Sequence, residues 1–341
     1  MIGDRLLATG TRVVRERGRL LDAADPDGSV TGRSRLLCAA LAELAVACYR
    51  GLGGRGREGA VADAAGLLSL LTKIDDQVID APSMHGAGED ARDAVERRVR
   101  AYLAPTLRSI VDARPADPSG RCALAAELGV GLRELAADDA RLEEVLDVIA
   151  AGWAIQVQAV RVLSGDPART KREDVEVVTA QISGLWLEMI TLVGALPSDV
   201  RPLTVDERMA FEGWGAWIQR ADALSDFGKD RDDGLRSSLP SYALSALAEP
   251  GPPYEALARH RIDEAMMPPP GALDALVARH HALGDVPSLL RWIHGFLTWR
   301  YLRDPASARA LDDPAFAPFA DAARDWEAYV RRVASALRAE A

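Results

Sequence analysis

Apolar residues recur along this chain at intervals of three and four, with polar residues filling the positions between them. That spacing puts the apolar side chains on one side of an α-helix. Ala, Leu, Arg and Glu dominate, and strand-like alternation of Val, Ile and Thr is scarce. The pattern predicts helices over 33–52, 57–81, 88–104, 121–136, 140–164, 172–196, 204–229, 271–283, 286–303 and 315–339. Between them fall turn-forming runs such as Asp117-Pro118-Ser119-Gly120, Gly165-Asp166-Pro167 and Pro250-Gly251-Pro252-Pro253. Gly51-Leu52-Gly53-Gly54 reads as a turn, and Pro268-Pro269-Pro270 as a stiff connector that starts the next helix. There is no repeat of fixed period and no low-complexity stretch to mark a boundary. The expectation is therefore an all-α fold, one large helical bundle over residues 1–341.

Composition narrows the partners. With a hydrophobic fraction of 48% in 341 residues, the chain can bury a sizeable core. A net charge of −10 argues against nucleic acid, which needs clustered Lys and Arg. It leaves room for a small anion, because divalent cations invert the local sign of an acidic pocket. Cys38, Cys48 and Cys122 are odd in number and form no CxxC pair, so a disulfide framework is not expected and a reducing, cytoplasmic setting is. Met1 to Arg5 show no start of a secretory signal. Leu36 to Tyr49 is the most apolar stretch, but Glu43 interrupts it and it is too short to span a bilayer.

Two segments concentrate the chemistry. The first is Lys73-Ile74-Asp75-Asp76-Gln77-Val78-Ile79-Asp80. On a helix, Asp76 and Asp80 are neighbours on one face at about 6 Å, and Asp75 lies about 100° round the axis on the flank of the same site. The second runs from Gln219 to Asp230, where Asp222, Asp226 and Asp230 follow an i, i+4, i+8 rule with Gly215 and Gln219 continuing their stripe. Stacked carboxylates repel unless water or a cation separates them. Mg²⁺ suits them, since it takes oxygen ligands and is satisfied by one or two carboxylates plus substrate phosphate. Basic partners stand close in sequence: Lys73 at the first segment, Lys229, Arg231 and Arg236 at the second, and the pair Arg300-Tyr301 in a later predicted helix.

At these residues the chain resembles the squalene/phytoene synthase family. Lys73-Ile74-Asp75-Asp76…Asp80 looks like that family's first aspartate-rich motif, and Gly215…Gln219…Asp222…Asp226-Phe227-Gly228-Lys229-Asp230…Gly234-Leu235-Arg236-Ser237-Ser238-Leu239-Pro240 like its second. Thr179-Ala180-Gln181-Ile182-Ser183-Gly184 echoes the family's small-residue helix above the substrate. The likeness is clearest over 60–240. It implies an isoprenoid-synthase fold with a central cavity, three Mg²⁺ ions, and ionisation of an allylic diphosphate of the farnesyl or geranylgeranyl type followed by prenyl transfer. It assigns the metal ligands to Asp75, Asp76, Asp80, Asp222, Asp226 and Asp230, with Asp76, Asp80, Asp226 and Asp230 central to catalysis. Diphosphate contacts fall to Lys73, Gln219, Lys229, Arg231, Arg236, Arg300 and Tyr301. An apolar substrate or product also leaves peripheral membrane association open.

The chain departs from the family in several places. Asp222 stands where the family usually has Asn, Ser225 and Ser238 where it has Arg and Tyr, and Thr72 or Lys73 where an Arg precedes the first aspartate. These changes thin the positive charge that would hold a second diphosphate. They keep a terpene cyclase, or a prenyltransferase onto another acceptor, as the alternative. The Asp triad followed by Arg300-Tyr301 also resembles the corresponding features of bacterial terpene cyclases. A degenerate, non-catalytic relative that binds a lipid or a partner is the third reading.

Trp186, Trp214, Trp217, Trp292 and Trp299 are many for a chain with 5% aromatics, and an aromatic face can stabilise a cation. Trp186 and Trp214 are the preferred cavity residues, with Gly184 beside them; ordinary core packing is the competing role for each. The five histidines fall in no HExxH arrangement, and there is no GxGxxG, P-loop or GxSxG to support a dinucleotide, nucleotide or serine-hydrolase reading.

Overall fold

A computed structural model describes residues 23–25, 32–79, 84, 91–163, 172–232, 283 and 286. Among them every regular element of any length is a helix: α1 (Gly32–Gly51), α2 (Glu58–Ile79), α3 (Ala91–Asp112), α4 (Gly120–Leu135), α5 (Asp139–Leu163), α6 (Arg172–Ala195) and α7 (Val205–Asp232). The helices expected over 271–283, 286–303 and 315–339 lie outside the described residues.

The apolar stretch noted in the sequence becomes the middle of the bundle. From Leu37 to Tyr49 every residue of α1 is buried, Glu43 included at 7% exposure. A helix apolar all round must be covered on all sides. Here α2 and α6 pack against it, α5 and α7 pack on α6, and α4 joins α2 to α3. Gly53, at φ 99°, makes the turn out of α1, and Tyr49 Oη donates to Asp199 at 2.6 Å across to the α6–α7 connection.

Local chemistry sets several helix starts. Ser119 caps α4, its hydroxyl accepting from the Cys122 amide at 3.2 Å. Thr204 and Glu207 form a capping box on α7: the Glu207 amide donates to Thr204 Oγ1 at 3.2 Å and the Thr204 amide to Glu207 Oε2 at 2.8 Å. Arg201 then binds the Glu207 carboxylate at 2.6 and 2.8 Å. Side-chain bonding to that arginine, against the opposing effect of burial, pulls the Glu207 carboxyl down to about 2.

α3 corrects the expectation of a helix ending at residue 104. It runs through Pro105 to Asp112. A proline inside a helix removes one donor and costs about 3 kcal/mol. Leu103, Thr106, Ser109 and Ile110 are all buried around it, and each apolar side chain buried returns about 1.5–3 kcal/mol. Ser109 Oγ also donates to the Pro105 carbonyl at 2.8 Å, and Arg133 reaches the last carbonyls, Ile110 O at 3.2 Å and Val111 O.

Candidate functional site

The last turns of α2 carry the first acidic segment. Lys73 Nζ donates to Asp76 Oδ2 at 2.9 Å, a partly buried i,i+3 pair. The same ammonium lies 5.7 Å from the centroid of the Trp186 ring on α6. It also feels the carboxylate of Asp222, on α7, and the buried Cys38 of α1. Burial opposes the charge on Lys73, but Asp76 and then Asp222 outweigh it and hold the ammonium above the ordinary lysine range. One carboxylate from each acidic segment thus favours the charge on this ammonium. Trp186 Nε1 is buried and has no hydrogen-bond partner, which leaves a donor for an incoming acceptor.

The α6–α7 crossing sets this arrangement. A Cβ on Gly215 would lie 2.3 Å from the backbone of Ser183 and Gly184, and one on Gly184 would lie 3.1 Å from Glu212 Cα. One turn further along α7, Ser183 Oγ donates to Gln219 Oε1 at 2.5 Å. The next residue of that stripe is Asp222. Gly184, expected at the cavity, is a helix-crossing residue, and the carbonyl oxygen of Gln219, expected on diphosphate, is engaged by Ser183. Trp214 is fully buried in the hydrophobic core.

Asp75 takes a different surrounding from its neighbour Asp76. Expected on the flank of the metal site, it is 0% exposed and turned into the bundle. Arg121 of α4 donates to its Oδ1 at 3.2 Å, and Trp153 Nε1 of α5 donates to its Oδ2 at 3.0 Å. The Arg121 guanidinium stacks 3.7 Å from the ring centroid of Tyr102 on α3, and Tyr102 also favours the charged form of the Asp75 carboxylate. Burial pushes the Asp75 carboxyl up to about 6, against the opposing pull of Arg121, Trp153 and Tyr102. No local pattern marks Arg121, Trp153 or Tyr102, because each is a lone residue on its own helix.

Asp80, Arg236, Arg300 and Tyr301 lie outside the described residues. α7 continues through the positions of Asp226, Lys229, Asp230 and Arg231, but their side chains are also outside them. Among the described residues no three His, Cys, Asp or Glu side chains are grouped as a metal site. Asp76 pairs with Lys73, and Asp222 of α7 acts on the same ammonium electrostatically. Among the described residues no helix is long and apolar enough to cross a membrane.

Compared with known proteins, the chain matches no family model, no curated protein and no solved structure.

Proposed function

We propose that this protein ionises an allylic isoprenyl diphosphate with the help of magnesium and transfers the prenyl group, as the squalene/phytoene synthases do. What supports the reading is that Lys73 pairs with Asp76 and is held charged by Asp76 and Asp222, one from each acidic segment. Like charges are gathered at a partly buried point only where a cation compensates them. Bound Mg²⁺ would neutralise charge developing on the leaving diphosphate. Asp76 and Asp222 would hold it, joined by Asp226 and Asp230 on the same stripe of α7.

Lys73 is the diphosphate-binding cation of this reading. Its ammonium is free to exchange Asp76 for a phosphate oxygen once metal takes the carboxylates. The carbon–oxygen bond breaks with its electron pair going to the diphosphate, an acceptor π bond then attacks the allylic carbon, and the cation so formed loses a proton to the released diphosphate or to water to give the neutral product. Trp186 presents a ring beside the cluster, where its face stabilises positive charge and its bulk excludes water.

One observation favours a single-donor variant of this chemistry. Thr72, at a position where an arginine precedes the family's first aspartate, turns its hydroxyl back to Leu68 O at 2.9 Å, and Ser225 and Ser238 stand where the family has Arg and Tyr. Such thinning of positive charge suits one diphosphate, as in a cyclase or a transferase onto another acceptor.

Incubation of the purified chain with Mg²⁺ and geranyl, farnesyl or geranylgeranyl diphosphate tests the proposal. Release of inorganic diphosphate with a product of twice the carbon number supports head-to-head coupling. Release with a cyclic, conjugated or acceptor-linked product supports the single-donor variant. Absence of release with every chain length overturns both.

A further inference from the structure

We infer that the buried cage of Arg121, Trp153 and Tyr102 around Asp75 is a positioning device that fixes the rotation of α2 over residues 73–79, and with it the aim of Lys73 and Asp76. This rests on the function proposed for that cluster.

Asp75 is adjacent in sequence to Asp76 and two residues from Lys73, so the three side chains leave the helix in different directions. The aim of each side chain on this segment follows from how α2 is rotated about its axis. In the segment from Lys73 to Ile79 the buried side chains are Ile74, Asp75 and Ile79. The two isoleucines supply non-directional contact. Asp75 supplies direction: its two oxygens are bound separately, Oδ1 by Arg121 at 3.2 Å and Oδ2 by Trp153 at 3.0 Å, while the Tyr102 ring stacks on the Arg121 guanidinium. The two donors come from α4 and α5, so turning α2 breaks bonds to two helices at once.

The sensitivity is large. A rotation of roughly 20° carries a carboxylate about 5 Å from the axis through nearly 2 Å. A misplacement of about 1 Å at a reacting centre costs about a hundredfold in rate. Apolar residues in place of a buried ion pair often serve stability as well or better, so stability alone does not account for the cage. Its distinctive property is to define one orientation.

The test replaces Trp153→Phe, which keeps an aromatic ring and removes the donor to Oδ2, and Asp75→Asn, which keeps the shape and removes the charge. Amide hydrogen exchange in the full chain is measured over 73–79 and over α6, beside kcat and KM for diphosphate release. Exchange over 73–79 is expected to accelerate about tenfold or more in both variants while α6 is unchanged. Their kcat is expected to fall about tenfold or more with KM within about threefold of the parent. Exchange raised equally everywhere, unchanged exchange over 73–79, or local loosening without loss of kcat would each overturn the positioning role. Should the parent chain release no diphosphate, the proposed function fails by itself, and local acceleration over 73–79, or its absence, still decides whether the cage anchors α2.

Discussion

Gly215 of α7 and Gly184 of α6 meet so closely that a Cβ on Gly215 would stand 2.3 Å from the Gly184 amide nitrogen. The contact is backbone to backbone, so no side chain can rotate away to make room. Gly215→Ala is therefore expected to force the two helices apart and destabilise the protein by about 1–3 kcal/mol or more. Gly213→Ala, on the same helix, meets nothing within 4 Å and should be neutral or stabilise by up to about 1 kcal/mol. Thermal unfolding followed by circular dichroism compares the two. Equal melting temperatures would show that the crossing has slack.

Arg208 ties three helices together. It bonds to Glu188 of α6, whose side chain is 3% exposed, and to Glu144 of α5. Removing the arginine leaves a buried carboxylate without its counter-charge, a loss of about 3–5 kcal/mol in comparable cases. Arg208→Met should lower the denaturant midpoint accordingly, and Arg208→Met combined with Glu188→Gln should recover part of the loss. An unaffected midpoint in the single variant would remove the triad from the account of stability.

Glu207 gives a pH dependence with a definite sign. Its folded-state carboxyl lies at about 2, below the ordinary 4.5. The unfolded chain therefore binds the proton first as pH falls, and stability from the Arg201–Glu207 pair declines between about pH 4.5 and 2. The Arg201 side chain is 43% exposed, so the contribution is discounted to about 2 kcal/mol at most. Denaturant unfolding at a series of pH values should show that decline in the parent and a flatter curve for Glu207→Gln. Parallel curves would count against the pair as its source.

Lys73, Asp76 and Asp222 should be sensitive as a set. Under the proposed function, Asp76→Ala and Asp222→Ala each reduce diphosphate release by about a hundredfold or more while the helical signal is kept. Lys73→Met should raise KM for the prenyl diphosphate, and Lys73→Arg should restore part of the affinity. EDTA should stop the reaction and Mg²⁺ restore it. Full activity in either aspartate variant, or in the presence of chelator, would contradict the assigned roles.

Much of the fold could be read from periodicity. Expected helices at 33–52, 57–81, 121–136, 140–164 and 172–196 agree with α1, α2, α4, α5 and α6 to within a residue or two, and α7 runs a little past the expected 204–229. Local spacing reports these elements because a helix repeats every 3.6 residues whatever it packs against. Pro105 misled that reading, since a local helix breaker was outweighed by burial that only the folded bundle provides.

The candidate site divides in the same way. Sequence alone placed Lys73 with Asp76 on α2 and Asp222 on a second helix, because i,i+3 and i,i+4 neighbours are local facts. It did not tell which face of α2 turns inward. Asp75 and Asp76 are consecutive and chemically identical, yet one is caged by Arg121 and Trp153 and the other pairs with Lys73. The sequence determined which side chains share a helical stripe. The tertiary structure decided which stripe is buried and which lone residues meet it, because burial and long-range pairing depend on how whole helices rotate against one another.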